Sequence, residues 1–241
     1  SQISLVLGLT ALMHYVTVGP RQLRLLGLEL VASCGLLFIL AQDGHLSRWD
    51  GGVLLVVFAL YLGHTVWNRS AEVEAETERT LTSEPPPAGR PAWMCLTLLA
   101  LGLAVVVAAS ELTVDKALAL SAGWGLQQSF VGAVLIGVGT STPELAVSLR
   151  AMAEKRPGLS VGNVVGSNIF DLLVPTGVAA TLSTLEVERT VVRFDLPYLL
   201  VTTLVVVFLL HRKRGLQRWE GAVLLAVFAL YAVTRYLLNP G

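Results

Sequence analysis

"RWDGGVLLVVFALYL" (residues 48–62) and "RWEGAVLLAVFALYA" (residues 218–232) are two copies of one segment, set 170 residues apart. Each opens on Arg-Trp and an acid, then continues as an unbroken apolar run. A fainter echo relates "LGLTAL" at 7–12 to "TGVAAT" at 176–181, an offset of 169. Self-similarity of this kind is the mark of an internal repeat, and missing it misreads the whole fold. The offset of 169 sets Ser1-Gln2 against Phe170-Asp171. The N-terminal half therefore reads as a copy of the C-terminal half whose beginning is missing.

The repeated unit is hydrophobic throughout. Of the residues, 54% are hydrophobic and 14% charged, where soluble domains carry about 25% charge. Mean hydropathy is +0.69. A helix needs about 20 mostly apolar residues to cross the hydrocarbon. Eight helical segments meet or approach that length, over 1–18, 22–40, 51–67, 93–113, 126–154, 160–185, 194–210 and 220–238. The expected class is an all-α polytopic membrane protein with membrane lipid as its surroundings. Net charge is zero, which gives no electrostatic case for nucleic acid as a partner; no protein partner is evident either. Cys34 and Cys95 lie in apolar runs and read as small buried hydrophobes. No charged region precedes the first apolar residues, so they do not form a signal peptide; the chain reads as starting partway through a span.

One polar stretch interrupts the pattern. "NRSAEVEAETERTLTSEPPPAGRP" at 68–91 is acidic, Pro-rich and without apolar periodicity, which reads as a flexible linker. It divides the chain into the end of a first membrane repeat (1–67), a linker (68–92) and a second, complete repeat (93–241). Five spans separate position 51 from position 221. An odd number makes the two copies cross the membrane in opposite senses, the inverted repeat of many secondary transporters. Assigning loops alternately puts twelve Lys and Arg on one side, from Arg21 to Arg218, and five on the other: Arg48, Lys116, Arg189, Arg193 and Arg235. By the positive-inside rule the linker is cytoplasmic and the C-terminus outside.

The second repeat carries polar chemistry inside apolar sequence: "GVGTSTPELAVSLRAMAEKRPGLSVGNVVGSNIFDLL", 137–173. Pro143 lacks an amide hydrogen and its ring clashes with the Gly139 carbonyl, so a helix here breaks or kinks. Freed carbonyls in lipid are tolerated where they are buried or line a cavity. They are hard ligands for small cations, as are the hydroxyls of Thr140 and Ser141 and the carboxylate of Glu144. An oxygen-only set suits Ca²⁺ or Na⁺ rather than zinc or copper. In the next helix Ser167 and Asp171 share a face, with Asn163 one turn earlier. Ser, Thr and Asn in membrane helices serve more often as interhelical glue than as ligands. A mid-span carboxylate is functional by default, because it costs about 2.5–3.5 kcal/mol or more. Asp50, Asp195 and Glu220 sit at span boundaries and read as interface residues; Trp49 and Trp219 fit an aromatic belt.

"GTSTPEL" followed by "GNVVGSNIFD" resembles the paired motifs of the cation/calcium antiporter superfamily, in particular the prokaryotic sodium/calcium exchangers. The resemblance covers nearly the whole chain. It implies an inverted-repeat antiporter fold with five spans per repeat, the first repeat incomplete, about eight spans present, and a multi-pass location in a bacterial inner membrane. It also implies roles by position. Glu144 matches a carboxylate shared between calcium and sodium sites, Thr140 and Ser141 match hydroxyl and carbonyl ligands, and Gly137 a carbonyl ligand. Ser167 and Asp171 match ligands on the following helix. Gln2 falls where the family has Asn or Asp.

The implied activity is transport without covalent chemistry, not enzymatic catalysis. Ca²⁺ would exchange for Na⁺ by alternating access, with the transported ions as ligands and no cofactor. Proton-coupled calcium exchange is the alternative, a passive cation channel a weaker one, and an intramembrane aspartyl protease built on Asp171 the weakest. The missing counterparts of Thr140, Ser141, Glu144 and Ser167 lead to a further expectation: the 241-residue chain alone inserts but binds calcium poorly.

Overall fold

The structure, a computed structural model, describes residues 2–17, 20–81, 136–213 and 215–238, with scattered positions between 91 and 123. The helices are α1 (Gln2–Met13), α2 (Pro20–Leu40), α3 (Arg48–Leu81), α4 (Gly137–Thr140), α5 (Thr142–Ala153), α6 (Pro157–Leu182), α7 (Leu196–Lys213) and α8 (Arg218–Leu238). A π-helical turn at Val191–Asp195 leads into α7. Four described helical stretches are long and apolar enough to cross a membrane: Arg48–Trp67, Pro157–Leu182, Val191–Arg212 and Arg218–Leu237. Ile3–Met13 and Leu25–Leu40 are shorter apolar helices. The all-helical membrane class read from the sequence is the class observed.

The chain divides into two units, one of Ser1–Tyr61 with Gly137–Asn239 and one of Leu62–Ile136 with Pro240–Gly241. In the second, described positions between 93 and 123 are helical, and Trp93, Leu96, Leu101 and Val105 are exposed, as suits side chains that face lipid. The expected span at 93–113 is described in part, and the first part of the span expected at 126–154, residues 126–135, lies outside the described residues, as does Cys95.

The first unit holds the repeat, and its symmetry is visible contact by contact. α1 packs on α8 through two glycines: a Cβ on Gly221 would sit 2.7 Å from the Gly8 carbonyl oxygen. The equivalent pair in the other copies is Gly51 of α3 and Gly177 of α6, where a Cβ on Gly51 would sit 2.7 Å from the Gly177 oxygen. Small residues let helix backbones meet this closely without a hydrophobic driving force. Two short antiparallel ladders repeat the exchange. Val16 of β1 (Val16–Thr17) pairs with Leu216 of β4 (Gly215–Leu216), and Leu46 of β2 (His45–Leu46) pairs with Leu185 of β3 (Leu185–Glu186). α2 and α7 follow the same rule. Burial along 30–41 matches burial along 199–210 at an offset of 169, with Ser33, Cys34, Leu37 and Ala41 buried like Thr202, Thr203, Val206 and Leu210.

The helix starts are specified locally. Ser47 caps α3, with its N–H and hydroxyl both donating to Asp50 Oδ2 at 2.8 and 2.6 Å. The Gln217 N–H donates to Glu220 Oε2 at 2.8 Å before α8. In both, an acid at the third position of the helix reaches back to the capping residue.

Three features differ from the sequence reading. α3 runs to Leu81, through most of the segment read as a linker, because "AEVEAETERTL" is rich in strong helix formers and the prolines come only at 85–87. The four short strands were not expected; they pair loops at the ends of spans. Glu220, read as an interface residue, is fully buried, since the Gly8–Gly221 contact draws the start of α8 into the bundle.

Candidate functional site

The helix that carries Glu144 breaks at Ser141, between α4 and α5. Pro143 stands in the first turn of α5, where its missing N–H has no helical partner to lose. The break is stabilised from within: Ser141 Oγ donates to the Gly137 carbonyl at 2.6 Å, Thr140 Oγ1 at 3.2 Å and the Ser141 N–H at 3.2 Å. This back-bonding of Ser and Thr onto an earlier carbonyl bends helices. Gly137, expected to offer its carbonyl to a cation, thus holds three donors here. Donating their protons makes the two hydroxyl oxygens better cation ligands.

Glu144 follows one turn into α5 and is half-buried. Its Oε2 is buried and has no hydrogen-bond partner among the described residues. Its own backbone carbonyl accepts from Asn163 Nδ2 at 3.1 Å, and the same amide reaches Ser148 Oγ at 3.1 Å. Asn163 thereby ties α5 to α6, which pack along their length. Ser148 is fully buried and lies one turn after Glu144 on the same face, a spacing legible in "ELAVS". Sequence reasoning had named Asn163 only as a neighbour of Ser167 and had missed Ser148.

On α6, Ser167 is half-buried and donates to the Val164 carbonyl at 3.1 Å. Asn168 is buried and donates to the same carbonyl at 2.8 Å. Asp171 is half-buried. Pro175 lies inside α6 and has no N–H to offer the Asp171 carbonyl four residues back, a second interruption that the sequence reading passed over. Gln2 opens α1, but its side chain lies outside the described residues. α1 packs against α4, α5 and α6, so the truncated first copy borders the second copy's polar segment. Asn163 and the packing of α5 on α6 bring the segments of Glu144 and Ser167 together. Thr140, by contrast, is exposed while its neighbour Ser141 is 1% exposed.

At the loop end of α5, Arg150 Nε lies 2.6 Å from Glu154 Oε1. Both residues are well exposed, so the pair does little for stability. Elsewhere an ion cluster was missed altogether. Arg235, read as a charge of the outer face, is 1% exposed, with Nε 3.4 Å from Asp195 Oδ2 and Nη2 3.8 Å from Glu188 Oε2. Tyr231 donates to Asp195 Oδ1 at 3.1 Å and stacks on Tyr198, ring centroids 4.4 Å apart. Asp195, read as an interface residue, instead anchors α8 to the start of α7.

The chain matches the family model described as "Sodium/calcium exchanger protein" over residues 1–67 and 94–237. It is 32% identical over 246 residues to "Putative antiporter CaxA" of Alkalimonas amylolytica, covering 99% of this chain and 75% of that one. It is 30% identical to "Inner membrane protein YrbG" of Escherichia coli, covering 99% and 74%. "Sodium/calcium exchanger MaX1" of Methanosarcina acetivorans is 33% identical over 140 residues, 58% of this chain and 40% of that one. Among solved structures, the sodium-calcium exchanger NCX_Mj matches with a TM-score of 0.68 at 29% identity, over 95% of this chain and 70% of that chain. With its repeat interlocked and its broken helix in place, the chain belongs to the sodium/calcium exchanger family.

Proposed function

We propose that the protein exchanges Ca²⁺ for Na⁺ across a membrane by alternating access, with Glu144 as the central ligand. One observation carries this reading: a carboxylate oxygen with no partner among the described residues is buried beside a helix break in an apolar bundle. An unpaired buried charge is strongly unfavourable, and a cation relieves it. Thr140 and Ser141 would contribute hydroxyl oxygens and Gly137 its carbonyl, released from its present donors. Ser167 and Asp171 would approach from α6, and Gln2 from α1. A divalent ion is matched by two carboxylates, Glu144 and Asp171; monovalent ions reach the same neutrality only when more than one binds. Either filled state lets the bundle switch orientation, whereas the empty state leaves charge stranded in low dielectric and cannot. Exchange then follows without a covalent step.

The same reading assigns 1–67 and 93–241 to two oppositely oriented repeats joined by 68–92 on the cytoplasmic side of a bacterial inner membrane. The test is uptake of radioactive calcium by vesicles carrying the protein, under an imposed sodium gradient and, separately, an imposed pH gradient. Sodium-driven uptake supports the proposal. Uptake driven by pH alone moves the coupling ion to H⁺, and flux independent of any counter-ion makes the protein a channel.

A further inference from the structure

A cavity of about 390 Å³ lies at the β2–β3 end of the bundle, lined by Leu37, Ala41, Leu46, Thr176, Val191 and Leu196. It shares none of the cation-site residues. The chain contains its own control for this space, because the repeat places equivalent residues at the opposite ends of α2 and α7. Leu210 stands where the cavity has Ala41, and Leu7 where it has Thr176, by the offset of 169 that fits burial and sequence alike. Those two leucines, with Val16 and Leu216 of the other ladder, are all 2% exposed or less. At these two positions one copy carries leucine and the other the smaller alanine and threonine. Alanine and threonine there leave room that leucine side chains would fill.

The chemistry of the lining says which kind of occupant suits it. The walls are aliphatic, while Glu186 and Glu188 also line the cavity and both are exposed. Glu188 and Asp195 share the single guanidinium of Arg235, so the mouth is net negative. Arg189 and Arg193, on the same connection, are exposed and do not line it. His45 faces Glu186 across the ladder, with its ring nitrogen on the Asp43 carbonyl oxygen at 3.2 Å. Apolar pockets with a few placed charged groups are the usual form of small-ligand sites. We infer that this cavity binds an amphiphile whose alkyl tail enters between α2, α6 and α7 and whose ammonium head pairs with Glu186 and Glu188. The head could belong to an aminophospholipid of the surrounding bilayer or to a free long-chain amine. The inference does not depend on which cations the protein exchanges.

Octylammonium and octanol, which share a tail and differ in charge, are the probes, titrated below micellar concentration against the protein in a neutral maltoside detergent. Octylammonium should bind saturably and about tenfold more tightly than octanol, as a charge-assisted contact implies. Glu186→Gln, alone and with Glu188→Gln, should erase that preference. Ala41→Leu should weaken both probes about tenfold by filling the space, and Thr176→Leu should act likewise, so one poorly folded variant does not decide the matter. If both leucine variants misfold, the headgroup comparison on wild type and Glu186→Gln decides. In nanodiscs, competition by phosphatidylethanolamine but not phosphatidylglycerol assigns the site to a lipid, and its absence to a soluble amine. No saturable binding by the wild type, or equal binding by folded Ala41→Leu and Thr176→Leu, overturns the inference.

Discussion

Cys34 Sγ lies 3.5 Å from Thr203 Oγ1, and the two residues hold the same position in the two copies of the repeat. A residue that touches its own counterpart lies on the two-fold that relates them. α2 and α7 therefore cross on that axis, and the glycine contacts and strand ladders come in pairs about it: Gly8 on Gly221 with Gly177 on Gly51, Val16 on Leu216 with Leu185 on Leu46. The axis runs across the helices rather than along them, because β1 and β2 precede and follow the single helix α2.

This geometry sets the sidedness of the two tryptophans. Trp49 follows β2 and Trp219 follows β4, which pairs with β1, so the two rings mark opposite ends of α2. Both are exposed. Single cysteines at 49 and 219 should react with an impermeant maleimide from opposite sides of sealed vesicles. Labelling of both from one side would contradict the inverted arrangement.

The glycine contacts make a sharper test within one helix. A Cβ on Gly51 would lie 2.6 Å from the Thr181 amide nitrogen, whereas at Gly52 nothing lies within 4 Å. Gly51→Ala should destabilise by about 1–3 kcal/mol through overpacking. Gly52→Ala should be neutral, or stabilising by up to about 1 kcal/mol through helix propensity. Gly221→Ala should resemble Gly51→Ala, since its Cβ would meet the Gly8 carbonyl. Thermal unfolding in detergent measures all three, and equal midpoints for the Gly51 and Gly52 variants would count against the close approach.

At the candidate site, Glu144→Gln removes the charge and keeps the shape. Calcium affinity should fall about a hundredfold, close to 2.7 kcal/mol, with little loss of folded protein because Oε2 has no hydrogen-bond partner to lose among the described residues. Calcium titration by isothermal calorimetry is the measurement. Affinity within twofold of wild type would remove Glu144 from the site.

Asn163→Ala should act differently, on stability and binding together. It deletes two hydrogen bonds between α5 and α6, worth about 1–3 kcal/mol when buried acceptors are left unmet, and it lets the Glu144 backbone shift. The unfolding midpoint and calcium affinity should both drop. A variant as stable as wild type would show that the amide bridge contributes nothing.

Arg235→Met leaves Asp195 and Glu188 without their cation. Breaking a buried pair from one side costs about 3–5 kcal/mol, so the variant should unfold well below wild type. Adding Asp195→Asn should recover part of the loss. A double-mutant cycle showing simple additivity would mean that Arg235 and Asp195 do not interact.

The sequence by itself determined the class, the repeat and the break. Apolar runs long enough to span lipid admit little besides helices, "RWDGG" and "RWEGA" announce the duplication, and Pro143 interrupts its helix wherever that helix sits. These are local properties, set by the backbone and by the average polarity of a segment. Tertiary structure decided which polar groups end up without water. Glu220 and Arg235 resemble other boundary charges in sequence, yet both are buried, because a glycine contact at Gly8 and a carboxylate forty residues away at Asp195 enclose them. Asn163 became a bridge only once α6 lay against α5, and Ala41 lines a cavity only because α2 meets α6 and α7 there. Burial of a charge depends on what arrives from distant parts of the chain, and hydropathy averages over that.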